Sequence, residues 1–512
     1  MSSSKGEHMN KKKQTLLNMS AYVLAPFVIG IGNIFKMKIF IDETGALQNG
    51  LYQFYFACLI YFEIAEQSMD MSLYAPLYEY LVQQKYEKIN ALIAGARVYW
   101  FRFGIGYILI GLLFLPFAPL LVGQNPSLCF VLAMHILYII RGTFTYWFSG
   151  PQTVALADNR GYLVITFNAC MTLIGALGAI VIVYATHNLL YAVFFEVLIT
   201  CIFILVKYVY LKQKFSFLDI HYPKKKSFAF TKLLPSTLTT KITDTLINNS
   251  DIFLVTILFG ASENSSFAIF MSFAALLINV FGTSVMSSMQ SLLGKYFAET
   301  AHDKNTKIQS IRLLKWFNYA VIAIVLPLIA LALNPFIGWF YGIEQTANFM
   351  FYFILLIFIY VRLFRTPYTT LKVSTGHYKT FVPFAIADSI LKVILSIIFA
   401  RMLGVYGVFL GTIISYIVTE LWLEAREFDI KILHQKWFVY MFEVFVHFVL
   451  TIGVSMALYQ FVSPFITDIV SLIGICFGVG IVLVIGVIGI SVICSHEVRG
   501  FIGTTLKQKP RI

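Results

Sequence analysis

The residues of this sequence that could do chemistry are ionisable side chains set inside long apolar runs. Lys241, Asp244, Asn248 and Asp251 follow one another at steps of 3, 4 and 3, which places all four on one helical face. Glu63, Glu66, Gln67 and Asp70 make a second stripe. Asn33, Lys36 and Lys38 make a third, beside Gly30 and Gly32, which permit close helix approach. A charge at the centre of a bilayer costs about 2.5–3.5 kcal/mol on insertion scales, so such stripes should face a water-filled cavity or another helix. Basic residues within the runs, among them Lys36, Lys38, Arg141, Lys241 and Arg362, are the donors that suit a negatively charged ligand, phosphate best of all. We take these five with Asn248 as candidate substrate contacts. Asp244, Asp251, Asp388 and Glu66 are the candidate carboxylates for coupling to H+ or Na+.

Each has a structural alternative. Lys36 and Lys38 can snorkel to the interface, and Asp70 and Lys207, near a span end, are expected to. Lys241 with Asp244, or Asp388 with Lys392 at i and i+4, can be self-neutralised pairs. Arg102, Arg141 and Arg362 have no acid at helical spacing in their own runs. His135 reads as a satisfied interhelical histidine, and Glu443 with His447 as a packing pair.

The elements that must position these residues are transmembrane helices. The chain of 512 residues is 59% hydrophobic and 12% charged, about half the charge of a soluble domain. Fourteen apolar segments each approach the roughly 20 residues needed to cross the hydrocarbon core: 16–41, 51–74, 99–121, 127–149, 161–186, 189–210, 236–259, 266–288, 316–333, 348–371, 380–400, 406–425, 437–461 and 468–494. The fold class expected is an all-α polytopic membrane protein: two pseudo-symmetric six-helix lobes plus two C-terminal helices. As domains, a tail (1–14) precedes an N-lobe (15–211), a basic linker (212–235), a C-lobe (236–428), the last two helices (436–495) and a second tail (496–512). The short connections exclude a substantial outer domain.

With the N-terminus inside, the outward loops hold Arg401 as their one basic residue, while Lys224-Lys225-Lys226 and both basic tails face the cytoplasm. The net charge of +13 is this bias plus attraction to anionic membrane lipids, and no basic domain offers itself to nucleic acid. The first span reads as retained rather than as a signal peptide. The six cysteines lie in or beside spans without metal-like spacing and read as small apolar side chains. No Walker motif, nucleophile elbow or carboxylate pair on a water-facing loop is present, so neither ATP nor hydrolysis is expected. No cofactor is expected beyond a coupled H+ or Na+, and the chain reads as a transporter rather than an enzyme.

The chain also repeats at an offset of about 215 residues. Gly45-Ala46-Leu47-Gln48-Asn49 matches Gly260-Ala261-Ser262-Glu263-Asn264, and Asn33 falls on Asn248, Lys36 on Asp251, Met71 on Met286 and Leu77 on Leu292. Arg141 and Arg362 share a place in the fourth helix of each half, and Pro116 and Pro335 end the third. Six spans per half give both halves one orientation, as in parallel transporter repeats.

Several stretches carry a family resemblance: Asn248-Asn249-Ser250-Asp251 before Phe259-Gly260, Asn334-Pro335-Phe336 before Gly342, Thr375-Gly376-His377-Tyr378-Lys379, and Leu403-Gly404-Val405-Tyr406-Gly407-Val408-Phe409-Leu410-Gly411-Thr412. From Met9 to about residue 500 the sequence resembles the polysaccharide flippases (Wzx-type) of the multidrug/oligosaccharidyl-lipid/polysaccharide exporter superfamily. The resemblance implies fourteen helices around a cationic cavity in a bacterial plasma membrane. It also implies transfer of an undecaprenyl-diphosphate-linked oligosaccharide to the outer leaflet by alternating access, and it makes polysaccharide polymerase and glycosyltransferases the expected partners. The family's cavity cations fall on Lys36, Lys38 and Lys241; Lys36 and Lys38 stand where the first helix usually has Arg. Three rivals are a lipid II flippase of the same superfamily, a drug/cation antiporter, which leaves the last two helices unexplained, and a membrane polysaccharide polymerase, which needs a larger outer loop.

Overall fold

The structure is a computed structural model that describes residues 11–117, 127–158, 160–219, 226–284, 304–375 and 378–494. Among them there is no β-strand. The helices are α1 (Lys11–Phe62), α2 (Ile64–Val82), α3 (Tyr86–Phe114), α4 (Leu128–Trp147), α5 (Gly150–Ala157), α6 (Gly161–Thr186), α7 (Leu189–Lys214), α8 (Leu234–Phe259) and α9 (Ala261–Leu277). They continue with α10 (Lys304–Tyr341), α11 (Phe349–Thr375), α12 (Tyr378–Leu403), α13 (Tyr406–Val418), α14 (Glu420–Glu424), α15 (Trp437–Phe461) and α16 (Ile469–Cys494). The protein is thus an all-α, multi-pass membrane protein. Thirteen stretches of the described residues are long and apolar enough to cross a membrane. The first is 55 residues long and holds two of the expected spans, so the count agrees with fourteen.

Local sequence sets the helix ends. Gly45, at φ 85° and ψ 163°, breaks α1 so that the chain turns back on itself, a conformation that only glycine takes without steric cost. Gly260, its counterpart in the repeat, separates α8 from α9 at φ 91° and ψ 170°. Ser127 caps α4 by accepting from the Phe130 N–H, and Asn188 caps α7 by accepting from the Leu190 N–H. The carboxylate of Asp468, before α16, accepts from the Ser471 N–H at 2.7 Å, and these bonds hold its pKa below the ordinary carboxylate value.

The chain forms two compact units that part at Leu276 and Leu277. In the first, α1 packs on α6, α6 on α7, α3 on α4, and α8 lies against both α1 and α2. One core joins Met69, Leu73 and Leu77 of α2 to Ile89, Leu92 and Trp100 of α3. Another joins Phe40, Tyr52 and Tyr55 of α1 to Met134 and Tyr138 of α4 and Val193 of α7. The described ends of the basic linker dock on α3: Ser227 N–H donates to the Ala91 carbonyl, and the Asn90 side chain bonds Phe217 and Asp219 backbone groups.

The second unit is built on α10, which packs on α11, α15 and α16, and on a close α12–α13 pair. A Cβ at Gly407 would fall 2.1 Å from the Phe399 backbone, and one at Gly411 2.4 Å from the Ser396 nitrogen. Small residues four apart let these two helices touch backbone to backbone. Outward positions such as Leu113, Leu177 and Val181 are apolar and exposed, as lipid-facing residues are.

Candidate functional site

In the first unit, the turn at Gly45 folds the second half of α1 back so that Tyr52 meets Lys36. The buried Lys36 ammonium donates to Glu196 Oε1 of α7 at 2.8 Å and to the Tyr52 hydroxyl at 2.6 Å, and Tyr52 donates to Glu196 Oε2 at 2.9 Å. The ammonium also lies 4.9 Å from the Tyr52 ring centroid. Lys36 therefore already has a counter-charge inside the protein. Lys38 pairs with Asp42 on its own helix at 2.6 Å, partly open to the surface. Arg141 of α4 lies over Phe56 and Tyr138, 5.5 and 6.0 Å from their ring centroids. Glu63 and Glu196 lie within its electrostatic reach.

Below this layer, Glu66 accepts from Ser149 at 2.5 Å and Gln152 at 3.1 Å, and Asp70 accepts from Thr153 at 2.8 Å. Lys207 donates to Asn168 at 2.9 Å, with Glu66, Asp70 and Glu63 in electrostatic reach. Asp70 and Lys207, expected to snorkel, are both buried instead: Thr153 of the short α5 donates to Asp70, and Asn168 of α6 accepts from Lys207. The face of α8 runs from half-buried Lys241 through exposed Asp244 and Asn248 to buried Asp251. Lys241 makes no ion pair with a described carboxylate, although Asp70 feels its charge. Asp251 lies in electrostatic reach of Tyr61.

In the second unit, Arg362 lies over Phe358, 5.9 Å from the ring centroid. The deeper cations are committed to carboxylates: Arg365 bonds Glu420 and stands 3.6 Å from Asp388, while Lys372 reaches Glu424 at 2.6 Å and Glu420 at 3.3 Å. Tyr416 donates to Glu424 at 2.6 Å, and Lys315 and Tyr368 both bond Asp429. Asp388 is thus beside Arg365 of α11, and Lys392, one turn further along α12, is fully buried. His447 and Glu443 also find separate partners: His447 bonds the Tyr360 hydroxyl and the Tyr319 carbonyl, and Glu443 accepts from Gln435. His135 bonds the Gly111 carbonyl between helices, as expected. An open apolar groove of about 450 Å³ between α11 and α15 is lined by Phe349, Phe353, Phe448, Val449 and Ile452.

Sequence reading missed Glu196, Tyr52 and the α5 residues Gln152 and Thr153. Glu196 carried a usable signal, an acid in mid-span; the neutral partners carried none. Gly376 and His377 of the resemblance motif lie outside the described residues, as do Met286 and Leu292 of the repeat.

No family model matches the chain, and no curated protein does. Solved structures do. The lipid II flippase MurJ in an inward closed conformation aligns at a TM-score of 0.63 and 17% identity, over 94% of this chain and 99% of that one. A MOP superfamily transporter from Pyrococcus furiosus aligns at 0.58 and 12%, over 84% and 100%. An outward-facing MATE family multidrug-resistance transporter of the MOP superfamily aligns at 0.57 and 13%, over 89% and 98%. The chain therefore has the fold of the MOP superfamily transporters.

Proposed function

We propose that the protein is a flippase that moves a polyprenyl-diphosphate-linked oligosaccharide from the inner to the outer leaflet by alternating access. The observation that carries this reading is Lys241. It stands two turns into an apolar helix, half-buried, beside exposed Asp244 and Asn248, and no described carboxylate is ion-paired with it. An ammonium held at that depth suits a phosphate or acidic sugar, and the neighbouring amide suits sugar hydroxyls. Arg141 is the second cation of the same unit, and Arg362 is a candidate for anionic sugar groups in the other. Lys36 and Lys38, whose charges are met by Glu196 and Asp42, support the site rather than grip the substrate. The prenyl chain stays in lipid, for which the apolar groove between α11 and α15 has suitable walls. Energy comes from an ion gradient through buried carboxylates such as Glu66, Asp251 or Asp388, in a protein whose two ends are cytoplasmic.

Lys241→Glu should abolish surface polysaccharide while the protein still inserts at normal levels; normal polysaccharide in that variant would rule out the assignment. A lipid II flippase is the second reading, favoured by the MurJ likeness, which extends over 94% of the chain. Complementation separates the two, since loss of polysaccharide with normal growth supports the first and lysis the second. Liposomes containing the purified protein should move a fluorescent prenyl-diphosphate sugar with no bond made or broken.

A further inference from the structure

The two glycine turns of the repeat bring its halves into one reciprocal contact. Asn49, at the start of the second half of α1, donates through Nδ2 to Ser265 Oγ of α9 at 2.7 Å. Asn264 of α9 donates through its Nδ2 to the Gly50 carbonyl at 3.1 Å. Asn49 corresponds to Asn264, and Gly50 to Ser265, at the repeat offset of about 215. All four residues are buried. The backbones touch, since a Cβ on Gly50 would fall 1.6 Å from the Ala261 carbonyl oxygen.

The same contact leaves both asparagine side-chain oxygens, Asn49 Oδ1 and Asn264 Oδ1, buried without a hydrogen-bond partner among the described residues. A buried acceptor with no partner costs free energy that water would restore. Closure is therefore held by two donors and opposed by two acceptors, so the contact is poised to part. Parting needs no new backbone freedom in the turns, because Gly45 and Gly260 already sit in a region open to glycine.

We propose that this paired asparagine contact is a gate at the end of the first unit that the charge bias puts outside, and that it parts to open the α8 face outward. This rests on the alternating-access reading above. The two halves of the contact differ chemically: Ser265 Oγ can donate as well as accept, whereas the Gly50 carbonyl can only accept. A carboxylate at 49 can keep its bond to Ser265; one at 264 faces a carbonyl and loses its own.

The test uses the full chain with its native cysteines replaced by alanine and Asn248→Cys as reporter, labelled from outside with a membrane-impermeant maleimide. Asn264→Asp should raise the labelling rate several-fold and Asn49→Asp should leave it nearly unchanged. In a second variant, Asn49→Cys with Ser265→Cys, oxidation should suppress reporter labelling and reduction restore it. Equal rates in Asn264→Asp and its parent, or labelling of the oxidised pair as fast as the reduced one, would overturn the gate. Labelling that behaves as expected, while the protein with Asn248 intact moves no prenyl-diphosphate sugar in liposomes, would instead overturn the proposed substrate.

Discussion

Lys36 and Glu196 are buried together, so neither charge can be met by water if its partner is removed. Removing one member of a buried pair typically costs about 3–5 kcal/mol, because the survivor is left uncompensated, whereas replacing both by apolar groups is often near neutral. Lys36→Met and Glu196→Leu should each lower the thermal unfolding midpoint of the purified protein in detergent, and the double variant should regain most of the loss. Simple additivity of the two losses would show that the bond contributes little. The same comparison separates a supporting role from a substrate role, since Lys241→Glu should spare the unfolding midpoint. The pair also shows why the candidate site was only half legible. A base inside an apolar run is visible in sequence, but its partner lies 160 residues away on another helix, and no periodicity connects them.

At the scale of elements, the sequence told more. Span number followed from hydropathy, and the glycine turns from the repeat: Gly45 and Gly260 have nearly the same backbone angles. What stayed hidden was how far helices run past their apolar windows. The first two spans are joined without a loop, α10 extends over 38 residues, and the basic linker is tied to α3 at its described ends. Two glycines test that account differently. Gly45 has nothing within 4 Å of a Cβ, so Gly45→Ala meets only backbone strain, about 1–3 kcal/mol. Gly95 is packed under the linker, where a Cβ would fall 2.1 Å from the Ser227 carbonyl oxygen. Gly95→Ala should therefore lift the linker and speed its cleavage by protease in inverted vesicles, while Gly45→Ala should leave that rate unchanged. Equal cleavage in both would mean that the linker is not held where α3 places it.

For the whole molecule, the sequence set the last two spans apart as an addition without a counterpart in the repeat, yet the structure treats them unequally. The α15 helix is tied into its unit by side chains: His447 bonds Tyr360 and the Tyr319 backbone, Tyr459 accepts from Asn334, and Tyr440 lies fully buried beside Tyr368. The α16 helix packs on α10, but Val470, Ile473, Phe477, Val482 and Ile485 are exposed. Buried polar bonds in a membrane have few replacement partners, whereas an apolar helix face exchanges protein for lipid of nearly equal polarity. Ending the chain after residue 466 should therefore leave a protein that inserts and gives a monodisperse peak in detergent, while ending it after residue 436 should yield one that is degraded. A stable 436-residue product would show that α15 is as dispensable to the fold as α16. If the longer product folds but no longer moves a prenyl-linked sugar, the cause lies in what α16 offers the lipid-borne substrate, since the remaining helices keep their own partners.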